Sequence, residues 1–173
     1  MIEHVMFVSR TQFERLVGDP TLAVISVTDP GQPDVVAPPG FLVSFPVKFT
    51  DTLRPSDAEV IVGFIRMIHR CPQFAGLLVQ SPQGQGRAAA LALFASLLCD
   101  AAIQGEKPTW LAAPSVLEQL CCAAGLPVPR LPSNPVRGTP AVGRGSKASV
   151  HCLPEPCAIG LNGSGARTSA VSV

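Results

Sequence analysis

The chemistry-bearing residues of this chain concentrate at positions 80–87, which read Gln80, Ser81, Pro82, Gln83, Gly84, Gln85, Gly86 and Arg87. They follow a short apolar run, Leu77, Leu78 and Val79, of the kind a buried central strand uses. They precede a run of strong helix formers from Ala88 to Cys99 with almost no polar face, which predicts a buried helix. A glycine-bearing loop that enters a helix turns successive backbone N–H groups toward one point. The first N–H groups of the helix lack internal partners, and the helix dipole favours an anion there. Arg87 adds a planar, permanently charged fork that matches a phosphate or carboxylate. The expected chemistry is an oxyanion cradle made by Ser81, Gln83, Gly84, Gln85, Gly86 and Arg87.

The same stretch resembles the phosphate loop of cysteine-based tyrosine and dual-specificity phosphatases, whose signature is His-Cys, five residues, Arg, then Ser or Thr. On that pattern Gln80 takes the histidine place and Ser81 the cysteine place. Arg87 takes the arginine place, Ala88 the Ser/Thr place, and Gly84 the loop glycine. The segments Val24-Ile25-Ser26-Val27-Thr28-Asp29-Pro30 and Phe49-Thr50-Asp51 are similar to parts of a small bacterial phosphatase-like family, in the same order, so that the likeness covers residues 4–124.

The resemblance implies a cysteine thiolate that attacks phosphorus, loop amides and an arginine that hold the equatorial oxygens, and an aspartate that protonates the leaving oxygen. Asp51, about thirty residues before Ser81, stands where that general acid is expected. A serine hydroxyl is a weak nucleophile without an adjacent base, whereas a cysteine ionises near neutrality. Gln80 cannot ionise, Ala88 has no hydroxyl, and Pro82 removes one backbone N–H from the cradle. With these positions altered together, the expectation is a catalytically impaired, natural pseudophosphatase. It would hold phosphate, a phosphorylated protein or a small phosphorylated molecule in loop 81–87. The alternative is an active phosphatase of altered mechanism, with Ser81 at the nucleophile position, Asp51 as acid and Arg87 as clamp. Asp29 is read as stabilising a turn before Pro30.

A rival pattern lies on the same residues. Gly84 to Ala89 fits G-x-G-x-x-A, the dinucleotide-binding pattern, between a strand and a helix. That motif normally opens its domain, and here it lies far into the chain. Glu106 has about the right spacing for the ribose-binding acid but precedes the candidate segment 109–112. His151, Cys152 and Cys157 have irregular spacing for a structural zinc site, which needs four ligands, so neither metal nor cofactor is expected. A formal net charge of +1 and scattered tail arginines (Arg130, Arg137, Arg144, Arg167) give no nucleic-acid footprint. No basic-then-apolar opening suggests a signal peptide, and the longest uncharged apolar run is too short to span a bilayer. A cytoplasmic protein without membrane partners is expected. Cys71, Cys99 and Cys121 sit in apolar runs and read as reduced, buried thiols; of the neighbours Cys121 and Cys122 only one should reach the core. Trp110 is expected to pack under the last helix.

The elements that must position the loop follow from periodicity. Strands are expected at 4–8, 22–27, 42–49 (on an edge or bulged, because of Pro46) and 77–79. Ser9 and Gln12 form a capping-box pattern before a short helix bearing Phe13, Leu16 and Val17. A helix over 54–70 should be capped by Ser56 and Glu59 and bury Val60, Ile61, Phe64, Ile65 and Ile68. Another should run over 87–103, and a last one over 114–124 between Pro114 and Gly125. Residues 28–39 hold four prolines and must be a loop. The alternation predicts an α/β fold with a central, mostly parallel sheet flanked by helices, and a site at the carboxyl end of a central strand. The expected domain is 1–125. Residues 126–173, rich in Pro, Gly and Ser, are expected to form a flexible tail.

Overall fold

In the computed structural model, residues 1–105 and 112–131 are described. The elements in chain order are β1 (His4–Ser9), α1 (Arg10–Phe13), β2 (Leu22–Thr28), β3 (Val43–Lys48), α2 (Pro55–Arg70), β4 (Gly76–Ser81), α3 (Arg87–Cys99), β5 (Ala102–Gln104) and α4 (Pro114–Ala124). The five strands form one sheet in the order β3-β2-β4-β1-β5, and every pairing is parallel. The protein is therefore an α/β fold. Parallel strands need covered faces, and the β2 run Leu22–Thr28 is buried throughout, as its continuous apolar sequence predicts.

Residue parity divides the sheet. Val5 and Phe7, Ala23, Ile25 and Val27, Leu77 and Val79 face the main core, shared with α2, α3 and α4. Val24 and Leu78 face the other side, where Phe13 of α1 and Val35 cover them. Five alanines of α3 (Ala88, Ala89, Ala90, Ala92, Ala95) are fully buried, with Leu91 and Phe94 beside them. Small side chains let this helix lie close to its neighbours while its few large ones supply the apolar area, at about 1.5–3 kcal/mol for each fully buried Leu or Phe.

Several boundaries differ from the sequence expectations. α3 stops at Cys99, because Asp100 takes a left-handed conformation (φ 53°) and closes the helix. The chain then forms β5, which pairs with the start of β1. α2 starts at Pro55, whose ring pre-sets the first helical φ. Arg54 occupies the cap position, so the box expected from Ser56 and Glu59 does not form. Instead Arg54 Nε donates to Asp57 Oδ2 at 2.9 Å. The buried stripe of α2 is Ala58, Ile61, Val62, Ile65 and Ile68; Val60 is 58% exposed, and Phe64 stacks on Phe45 at 4.5 Å between centroids. α1 ends at Phe13, and Leu16 and Val17 lie beyond it, exposed. The Ser9–Gln12 capping box and the Gly125 stop after α4 are present.

The chain divides into a unit spanning Met1–Pro135 and a second, Val136–Val173, which lies outside the described residues. The expected tail is described only over 126–131. That stretch has no regular structure, and Leu126 and Leu131 rest against the core. Trp110, Glu106 and the His151, Cys152 and Cys157 group lie outside the described residues, as does the candidate segment 109–112 apart from Ala112. Among the described residues no helix is long and apolar enough to cross a membrane. The described thiols are free; Cys121 is buried and Cys122 exposed. Burial pushes the Cys99 thiol up to about 11.

Three polar side chains lie buried on the α1 side of the sheet. Ser26 and Gln80 are ladder partners across β2 and β4, and Thr28 is two residues further along the same face. Ser26 Oγ, Thr28 Oγ1 and both amide atoms of Gln80 have no hydrogen-bond partner among the described residues. Leaving a buried polar group unpaired costs about 1–3 kcal/mol, and an apolar replacement of similar shape removes that cost. Gln80→Met is expected to raise the unfolding free energy by about 1 kcal/mol or more, read as a higher midpoint of thermal or urea unfolding. A lower midpoint would mean that the amide is satisfied in solution.

Candidate functional site

β4 delivers Ser81 to the carboxyl end of the sheet, and α3 begins six residues later at Arg87. The intervening chain curls back on Ser81. Gly84 N–H donates to Ser81 O and to Ser81 Oγ, each at 3.1 Å. The reversal uses positive φ at Gly84 (62°) and Gly86 (56°). At Gly84 the constraint is double, since a Cβ there would lie 2.4 Å from the Ser9 nitrogen at the end of β1. Gly86 precedes the first helical residue, and its carbonyl accepts from Ala90 N at 2.9 Å and Ala113 N at 3.0 Å. The loop is thereby tied both to its own helix and to the entry of α4.

Arg87 is held on one edge. Its Nη1 donates to Asp29 Oδ1 at 2.7 Å and to the carbonyl oxygen of Phe49, and its guanidinium carbon lies 5.8 Å from the centre of the Phe49 ring. Both partners sit just past strand ends, Asp29 after β2 and Phe49 after β3. Phe49 N donates to Thr28 O at 3.2 Å, which extends the β2–β3 pairing and brings the two residues together. The arginine side chain is 16% exposed and that of Asp29 50%. Asp29 does form a turn, its carbonyl accepting from Gln32 N at 3.1 Å. A turn-only reading of Asp29 is nevertheless incomplete, because its carboxylate is spent on Arg87.

A pocket of about 270 Å³ opens at this junction, lined by Asp29, Asp51, Ser81, Pro82, Gln83, Gln85, Gly86, Arg87 and Ala113. Of the loop residues picked out from sequence, Gly84 alone does not line it; its role is to turn the chain beneath. Asp51 arrives from the segment between β3 and α2, which α4 anchors. Ser115 Oγ donates to Asp51 O at 2.7 Å, and Leu53 N donates to Gln119 Oε1 at 2.5 Å. The Asp51 side chain makes no hydrogen bond or ion pair among the described residues.

Among the described residues the lining holds two carboxylates and one guanidinium, with no thiol, imidazole or amine. Ser81 is 2% exposed, and its hydroxyl already accepts the Gly84 amide. Gln80, at the histidine place, points to the opposite face of the sheet from the core that α3 covers. Its side chain offers nothing to the Ser81 hydroxyl, whose nearest described partner is a main-chain amide. Among the described residues no three His, Cys, Asp or Glu side chains converge as metal ligands. Comparison with known protein families and with curated proteins finds no match for this chain.

Gly84→Ala is expected to be the most damaging change in the loop. Strain at an unfavourable φ costs about 1–3 kcal/mol, and it applies to Gly84 and Gly86 alike. At Gly84 a clash with the β1 backbone adds about 1–3 kcal/mol, whereas a Cβ on Gly86 meets nothing within 4 Å. Urea unfolding of the two variants should show Gly84→Ala losing clearly more stability than Gly86→Ala.

Proposed function

We propose that this protein binds an oxyanion, as phosphate or as the phosphoryl group of a phosphorylated protein or small molecule, in the pocket of loop 81–87, and that it is a pseudophosphatase rather than an efficient hydrolase. The observation that carries this reading is the convergence on one pocket of Ser81, Gln83, Gln85, Gly86 and Arg87 at the first turn of a buried helix. Helix-entry amides and a guanidinium are the groups that hold tetrahedral oxyanions. The likeness to cysteine-based phosphatases supports the same ligand. Covalent catalysis would need an ionised nucleophile, and Ser81 has no thiol and no partnering base among the described residues. The two described carboxylates also oppose the second negative charge of a phosphate monoester, so modest affinity is expected. A cytoplasmic setting, which free described thiols would suit, belongs to the same proposal.

A second reading, slow phosphate-ester hydrolysis, is favoured by one observation: Asp51 lines the same pocket as Ser81 and Arg87, and its carboxylate has no hydrogen-bond or ion-pair partner among the described residues. There Asp51 would protonate the leaving oxygen while Ser81 or water attacks phosphorus. Nucleotide binding has less support. In dinucleotide-binding units the strands flanking the glycine loop and its helix are adjacent, whereas here β1 lies between β4 and β5.

The test pairs calorimetric titration of inorganic phosphate and phosphotyrosine with an aryl phosphate hydrolysis assay on the same preparation. Binding without turnover is expected, with Arg87→Ala weakening it by about tenfold or more, as for a lost charge-assisted contact. Ser81→Cys alone should restore little hydrolysis, because Gln80, Pro82 and Ala88 remain. Turnover that disappears in Ser81→Ala would establish the hydrolase reading, and binding of a dinucleotide in place of phosphate would establish the third.

A further inference from the structure

Arg87 has its donors divided unequally. Nη1 is fully engaged, one bond going to Asp29 Oδ1 and the other to the Phe49 carbonyl. Nε and Nη2 have no partner among the described residues. The Nε–Nη2 edge is the side of a guanidinium that grips two oxygens of one phosphate at once. A long flexible side chain would otherwise lose rotamer freedom on binding, and fixing it beforehand lowers that cost. Asp29 is itself fixed, by the turn through Gln32 and by the Thr28–Phe49 bond beside it.

We propose that Asp29 is a positioning residue for the oxyanion site: with the Phe49 carbonyl it clamps Nη1 of Arg87, leaving the Nε–Nη2 edge as a two-pronged grip for the ligand. The inference rests on the oxyanion reading of the pocket and adds to it the residue that makes Arg87 selective for a ligand with two oxygens on one edge. Two effects of Asp29 oppose each other. Its negative charge repels an incoming phosphate, and its hydrogen bond orients the group that binds it. Charge alone predicts that any neutral replacement tightens binding. The clamp predicts that a replacement unable to accept from Nη1 loosens it, while Asn, which keeps an accepting oxygen, does not.

The experiment is calorimetric titration of inorganic phosphate into the full chain and its Asp29→Asn, Asp29→Leu, Arg87→Lys and Asp29→Leu/Arg87→Lys variants, with thermal melts alongside. Arg87→Lys, which removes the planar fork, should weaken binding about tenfold. Asp29→Leu should weaken it about as much, and Asp29→Asn should stay within about threefold of the unaltered chain. The double variant should lose no more than either single one, since the two residues act through one contact. A merely structural role for Asp29 would instead give additive losses that track the melting temperature. Additive losses, or phosphate bound as tightly or more tightly by Asp29→Leu, would overturn the clamp while leaving the oxyanion site intact if Arg87→Ala, titrated alongside, still weakens binding by about tenfold or more. Absence of phosphate binding by the unaltered chain would overturn the site and the clamp together.

Discussion

An arginine bonded to a carboxylate and to a main-chain oxygen joins the ends of three adjacent strands. Arg87 opens the helix that follows β4, Asp29 follows β2, and Phe49 follows β3. Strands in a parallel sheet all end on one side, so their last residues meet there without any local sequence signal linking them. The guanidinium is mostly buried and sits against the Phe49 ring, while the Asp29 carboxylate that meets it is half exposed. The pocket exists because these ends are held together. Its floor is the loop that Gly84 turns against β1, and its rim is the Asp51 segment that Ser115 and Gln119 hold from α4.

Much of this architecture was legible from residues alone. Leu22 to Val27 read as a strand covered on both faces, and it is. Pro114 and Gly125 bracketed the last helix correctly, because a fixed φ at one end and a left-handed residue at the other are local properties. Pro46 marked an edge strand for the same kind of reason. What stayed illegible depends on tertiary neighbours. β5 was hidden inside an apolar run that reads as continuous helix, and only a left-handed Asp100 breaks it. Val60 and Val62 are indistinguishable by type, and the direction from which α4 and the sheet approach decides that Val62 is buried.

The site divides in the same way. The loop from Ser81 to Arg87 announces an anion-binding geometry through glycines, a helix start and an arginine. Asp29 carried no such mark. An aspartate before a proline reads as a turn, and its bond to Arg87 joins residues far apart in the chain that only the pairing of β2 with β4 brings together. The one cue available was its place as the first residue past a buried strand, the same place that Ser81 and Phe49 share at or just beyond their own strand ends. In an all-parallel sheet that shared place is itself a signal.

The outer edge of the sheet has a consequence of its own. β3 offers one side of its backbone to the surroundings, and alternate residues Ser44, Pro46 and Lys48 are exposed along it. A bare strand border of this kind can template the growth of cross-strand aggregates, in which one chain after another adds its own strand. A proline ring without an N–H and a lysine charge are poor ground for that growth. At the opposite border the described strand, β5, is only three residues long. A sheet terminated in these two ways can keep an apolar interior as large as this one while giving fibril formation little purchase.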